Sequence, residues 1–191
     1  YLVSSGVSAG TNYQFKVRAK NLYGWGSYSA VATIKASSAP DQPSPVTTSA
    51  NGLNVQISWS APNDNSEAII DYEILIRKSD GTTWLASSSC DGTNAGIISA
   101  LACDVPYTEL RSTYGLAYNA LIYAKVRARN ANGYSDFSEM NLIGARIETE
   151  PVQMNAPTLV TSTITLTSIE VQWTALIGDD TRGANIDSYH L

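Results

Sequence analysis

Histidine is almost missing from this chain of 191 residues: there is one, His190, next to the last position. Cysteine is nearly as scarce, with Cys90 and Cys103 the full complement. A Ser-His-Asp or Cys-His centre needs a histidine fixed by a third group in a packed site. His190 stands one residue from a chain end and reads as an exposed strand residue. A zinc site needs three or four Cys or His ligands at short spacing, and these residues do not group that way. No phosphate loop, Gly-x-Ser-x-Gly or His-Glu-x-x-His pattern occurs. Asp179-Asp180 and Asn63-Asp64-Asn65 lack the alternating oxygen ligands that wrap a calcium ion, and read as solvated turns. The sequence therefore names no catalytic residue, no metal ligand and no cofactor.

Charge is also sparse. Charged residues make up 15%, against about 25% in an ordinary soluble domain. The net charge is −5 with no basic block, which argues against a nucleic-acid partner. No apolar run approaches the ~20 residues of a membrane-spanning helix. The opening Tyr1-Leu2-Val3-Ser4-Ser5-Gly6 has neither a charged n-region nor a starting Met, and reads as neither a signal peptide nor a natural start. No Asn-x-Ser/Thr sequon is present, so O-linked sugar on the abundant Ser and Thr is the remaining glycan chemistry. What the chain does have is 43% apolar residues, enough for a packed core.

Those apolar residues alternate. Leu53-Asn54-Val55-Gln56-Ile57-Ser58-Trp59 has the period-two pattern of a strand with one buried face. Ile69, Tyr72, Ile74 and Ile76 mark a second strand, and Ile122 to Arg129 a third with its charges outward. Turn clusters separate them: Ala61 to Ser66, Ser79-Asp80-Gly81, and Asn130-Ala131-Asn132-Gly133, whose Asn-Gly is a hairpin signal. Short strands spaced by such turns predict an all-β sandwich. Ala36 to Pro45 and Glu148 to Pro151 read as linkers stiffened by proline.

Two internal repeats organise the chain. Lys16-Val17-Arg18-Ala19-Lys20-Asn21 recurs as Lys125-Val126-Arg127-Ala128-Arg129-Asn130, each followed by a Gly-containing turn. Val55-Gln56-Ile57-Ser58-Trp59 recurs as Ile169-Glu170-Val171-Gln172-Trp173, and Ile69, Tyr72 and Ile74 recur as Ile186, Tyr189 and Leu191. The first repeat pairs the start of the chain with its middle, the second the middle with its end. The chain thus reads as one complete unit flanked by the back of one unit and the front of another.

At these residues the sequence resembles fibronectin type III domains. Pro45, Trp59, Ile69, Tyr72 and Ile74 match the front-half pattern, as do Pro157, Trp173, Ile186, Tyr189 and Leu191. Tyr13, Phe15, Val17, Ala19, Asn21, Gly24, Gly26 and Ser29 match the back half. The resemblance implies tandem fibronectin type III (immunoglobulin-like) β-sandwiches, one complete over 39–150 and two partial over 1–38 and 151–191. It implies that Trp59 and Trp173 fill the space between sheets, with Tyr72, Tyr189 and Tyr13 beside them in the core. Ile122 departs from the pattern: it stands where a tyrosine corner is expected, and the adjacent Tyr123 points to the other face. Tyr23 and Trp25 fall in the F–G turn and Trp84 after the turn at Ser79-Asp80-Gly81, as candidate contacts to a linker, a neighbouring domain or a partner. Arg182-Gly183-Ala184 is not the Arg-Gly-Asp tripeptide, so integrin recognition has no support.

The cysteines lie where strands C′ and E are expected. Two states stay open: a Cys90–Cys103 disulfide closing a C′–E insertion, or two buried free thiols. A disulfide implies an oxidising compartment, outside the cell or at its surface. The stretch Cys90-Asp91-Gly92, Cys103, Val105-Pro106, Leu110-Arg111 is similar to a cysteine-containing fibronectin III variant of very large surface proteins of ciliated protists. There it alternates with a cysteine-free variant that Phe15 to Asn21 and Tyr23 to Gly26 match. The expectation is a non-catalytic window on a longer tandem array that forms an extracellular coat or filament and self-associates. The alternatives are an ectodomain whose loops bind protein or glycan, and a non-catalytic module appended to an enzyme.

Overall fold

The computed structural model describes residues 2–3 and 5–191. Tyr1 and Ser4, within the opening segment discussed above, lie outside the described residues. In chain order, strands β1 (Asn12–Phe15), β2 (Lys20–Asn21), β3 (Gly24–Trp25) and β4 (Ala32–Lys35) come first. They form two small antiparallel pairs, β1 with β4 and β2 with β3. Next come β5 (Thr47–Asn51), β6 (Asn54–Ser58), β7 (Asp71–Arg77) and β8 (Trp84–Leu85). Helix α1 (Ala95–Ala100), strand β9 (Ala102–Pro106) and helix α2 (Tyr107–Ser112) follow. Strands β10 (Ala124–Asn130) and β11 (Gly133–Tyr134) complete this part, and β12 (Thr158–Leu159) pairs with β13 (Val171–Gln172) near the end.

The middle of the chain is an all-β sandwich. One sheet has the order β5-β6-β9 and the other β11-β10-β7-β8. In the lettering implied by the resemblance these are A-B-E against G-F-C-C′. The strands form where alternation predicts them. β6, β7 and β10 bury every second residue, because period-two side chains reach opposite faces and only one face meets the other sheet. Val55, Ile57, Ile74, Ile76, Val105, Val126 and Ala128 supply the interior. Trp59 packs on Tyr72 with ring centroids 5.3 Å apart, tilted as aromatic pairs prefer.

Three features differ from the sequence-based reading. The Asn-Gly hairpin is present, but Asn130 pairs with Gly133, so Ala131 and Asn132 are the two loop residues. Neither has a positive φ; the turn is closed by Asn130, whose Oδ1 accepts the Asn132 N–H at 2.9 Å. Two helices interrupt the β pattern. α1 is capped by Asn94, whose Oδ1 accepts the Gly96 N–H, and ends at Leu101 in the left-handed region. α2 follows Pro106 directly and buries Tyr107 and Leu110.

The tyrosine corner is made in the first segment, and an apolar residue takes its place in the middle unit. In the first segment Tyr13 makes it: its oxygen accepts the Ser8 N–H at 2.8 Å and its hydroxyl donates to the Gly6 carbonyl. In the middle unit Ile122 is fully buried and belongs to the same apolar core as Leu110, Tyr114 and Leu116. Tyr123 faces outward beneath the Arg77 guanidinium, 3.7 Å from the ring centroid.

Candidate functional site

The segment Lys125 to Asn130 on β10 presents its charged residues to one face of a sheet, since alternate residues share a side, and its copy Lys16 to Asn21, of which Lys20 and Asn21 lie in β2, carries the same alternation. The turn that follows returns aromatic residues over them. In the middle unit Lys125 sits 4.5 Å from both the Trp84 and the Phe137 rings, and Arg127 lies 4.5 Å from Phe137 and 4.1 Å from Tyr134. Arg129 continues the stack against Tyr134. The first segment repeats it: Lys16 and Arg18 lie over Tyr28, Arg18 and Lys20 over Trp25. Cations thus interleave with ring faces, where the quadrupole attracts them. In the middle unit carboxylates on β7 flank the row: Glu73 accepts from Arg127 Nε at 2.6 Å, and Asp71 accepts from Arg129 Nε at 3.0 Å.

The backbone repeats as well. Ser29 Oγ accepts the Val17 N–H and the Ser29 N–H donates to the Val17 carbonyl. Ser138 does the same with Val126, through its Oγ and its N–H. Gly26 and Ser135 donate their N–H groups to the carbonyls of Ala19 and Ala128. The serine at the end of each turn is therefore a structural clip that holds the ladder's two arms in register.

Cys90 and Cys103 are bonded, with Cα atoms 5.2 Å apart. The bond ties the loop after β8 to β9, joining the edges of the two sheets. Loop closure of this size contributes about 3 kcal/mol in the chain-entropy model. Gly92 lies so close to β7 that a Cβ there would strike the Tyr72 carbonyl; its own carbonyl accepts the Tyr72 N–H at 3.1 Å. The insertion thereby covers a β7 edge that β8, only two residues long, leaves open. Glu109 on α2 accepts from Ser87 Oγ and Ser89 Oγ and pins the loop's start. Asp91 stays charged below its usual range because the Thr93 N–H and hydroxyl donate to it.

The predicted site residues separate into groups. Trp59 and Tyr72 lie in the core, where burial pushes the Tyr72 hydroxyl up. Trp173 and Tyr189 are not enclosed: they stack at 5.8 Å but remain 42% and 39% exposed. Tyr13 is half-buried. The physical reason is shared, since the segments holding these residues contribute paired strands without a facing sheet. Trp25 and Trp84 lie over cations of their own hairpin and sheet, while Tyr23 is 90% exposed. His190 lines a shallow cavity with Met154, Pro157, Trp173 and Tyr189. Among the described residues no three His, Cys, Asp or Glu side chains group as metal ligands, and no helix is long and apolar enough to cross a membrane. Sequence reasoning missed the ladder. Its signal was present as Lys-x-Arg-x-Lys/Arg followed by two aromatics three positions apart.

No protein-family model matches the chain. Among solved structures it is similar to a crystal structure of titin domains, at 20% identity over 73% of this chain and 44% of that one, with a TM-score of 0.43. It is similar to the sixth fibronectin type III domain of a human fibronectin type III domain containing protein, at 20% identity over 61% of this chain and 95% of that one, TM-score 0.44. A structure of titin kinase with its flanking domains matches at 20% identity over 56% of this chain and 17% of that one, TM-score 0.41. The chain spans less than half the length of the two titin structures.

Proposed function

We propose that this chain is a stretch of tandem fibronectin type III units with a structural role, in a coat or filament outside the cell. The complete unit is 39–150, with partial units at 1–38 and 151–191. The observation that carries the reading is the twofold occurrence of one hairpin, with the same serine clip and the same cation–aromatic ladder. A chain that repeats a unit down to its hydrogen bonds is built as an array, and arrays gain length without new chemistry. The disulfide supports an oxidising compartment. The likeness to the alternating variants of ciliate surface proteins gives the same setting.

Electron microscopy of the native material tests this reading. With strands rising about 3.3 Å per residue, a unit is roughly 30–40 Å long, so a two-unit axial repeat of roughly 60–80 Å is expected. Dispersed strings without axial order would overturn the filament. They would turn attention to exposed Tyr23 and Trp25 as ligand contacts.

A further inference from the structure

The two linkers meet the units that follow them in the same way, although their sequences differ. At the first, the Ser38 N–H donates to the Asn65 carbonyl and the Asp41 N–H to the Asn63 carbonyl, at 3.3 and 2.9 Å. At the second, the Thr149 N–H donates to the Arg182 carbonyl and the Val152 N–H to the Asp180 carbonyl, both at 3.0 Å. In each case the upper acceptor opens a pair of residues with positive φ, Asn65-Ser66 at 51° and 66° and Arg182-Gly183 at 56° and 96°. In each case the turn of the preceding unit faces that pair with a third such residue, Gly10 at 76° or Asn119 at 61°. Gly10 lies against Ser66, and Asn119 against Gly183. Gly10 and Asn119 both donate to the carbonyl at the start of the linker segment, of Ala36 and of Ile147.

The side chains that reinforce these contacts are unrelated. At the first junction Asn130 Nδ2 donates to the carbonyls of Ser38, Asp64 and Glu67, and Asn65 Nδ2 to that of Ala39. Lys35 pairs with Glu67 at 3.1 Å. At the second junction Arg182 bonds the Tyr118 hydroxyl, and Arg111 stacks on the same ring. The stretch between linker and loop is also longer at the second junction. Left-handed backbone in Asn, Ser and Arg is uncommon and is kept where the surroundings require it. Two sequences reaching one backbone arrangement through it point to a constraint on the arrangement itself.

We infer that the loop at 63–66, and its counterpart at 180–183, is a docking socket for the linker and turn of the preceding unit. The two sockets impose one angle between consecutive units. The partner of each socket is the neighbouring unit of the same chain. The inference rests on the tandem reading and deepens it: the array is a rod of constant screw, not beads on free hinges.

Amide hydrogen exchange on the intact chain tests the coupling, with Gly183→Val as the variant. A Cβ at Gly183 would lie 2.5 Å from the Ile147 carbonyl and 2.8 Å from the Asn119 nitrogen, and valine resists a φ of 96°. In the parent chain the Ser38, Asp41, Thr149 and Val152 amides are expected to exchange at least about tenfold more slowly than free peptide. G183V removes the protection at Thr149 and Val152 and leaves Ser38, Asp41 and the core amides of Val55 and Ile57 unchanged. Asn65→Val gives the reverse pattern, which separates a sprung socket from a misfolded chain. Free exchange at all four amides in the parent overturns the inference, as does protection of Thr149 and Val152 that survives G183V. The outcomes stay separable from the filament reading: free hinges are compatible with filaments, and rigid sockets with their absence.

Discussion

Tyr114 shows at the scale of one residue how burial sets chemistry. Its side chain is fully buried and its hydroxyl makes no well-formed hydrogen bond, because Ser87 beside it donates to Glu109 instead. Desolvation, with Glu109 nearby, pushes its pKa up to about 12, and the weak contact with Ser87 opposes the shift. Unfolded, a tyrosine ionises near pH 10. Above pH 10 the unfolded chain releases this proton while the folded chain keeps it, so the stabilisation present below pH 10 is lost as pH rises toward 12. Chemical denaturation of the parent should show that decline, and Tyr114→Phe should reduce it. At pH 7 the same variant should hold or gain stability by up to about 1 kcal/mol, since it removes an unsatisfied polar group. A Tyr114→Phe chain destabilised by more than that would mean the hydroxyl has a partner. Trp59 and Tyr72 were readable as core from the strand alternation taken with the resemblance to fibronectin type III domains. Tyr114 was not, because it lies outside the alternating strands and its burial depends on how the segment after α2 packs into the core.

At the scale of elements the ladder and the insertion do different work. The ladder holds the outer face of β10 with cations that share rings, so each contributes through two partners. Arg127 is the central rung, in contact with Tyr134, Phe137 and Glu73. Arg127→Ala should cost about 1–2 kcal/mol by denaturant midpoint. A double-mutant cycle with Phe137→Leu should give a coupling above about 0.5 kcal/mol, and a coupling of zero would reduce the ladder to coincident packing. The strand positions of β6, β7 and β10 were legible because a half-buried sheet imposes period two on the sequence. α1 and α2 were not, because each is six residues long and too short for a 3.6-residue period to declare itself. Their local signals were the Asn94 cap and the Pro106 start. The hairpin at Ala131-Asn132 shows the same limit, since an Asn-Gly pair marks the turn but the Asn130 side chain chose its register.

At the scale of the whole molecule, stability is unevenly spread. The buried side chains concentrate between Val46 and Ile147, while Leu159, Ile164, Leu166 and Ile169 near the end are exposed. Amides of β6, β7 and β10 should therefore exchange through global unfolding and those of β12 and β13 through local opening, at least about a hundredfold faster. Equal protection throughout would mean that the end segments carry a core of their own. The order of exchange follows from which strands find a facing sheet, and that is where sequence and structure divide. The sequence alone determined the repeats, the strand pattern, the all-β class and the candidate inter-sheet aromatics. The strand pattern is a periodic property written in residues a few positions apart, the repeats are the recurrence of such local patterns along the chain, and the candidate aromatics follow from the resemblance that those patterns carry. Only the tertiary structure decided which aromatics are enclosed. Trp59 and Trp173 close the same motif, yet burial is a property of what lies opposite. The cation–aromatic ladder, the bonded state of Cys90 and Cys103 and the matched linker sockets were likewise decided there. Each depends on groups brought together by the packing of sheets and loops, and no spacing along the chain encodes the angle at which they meet.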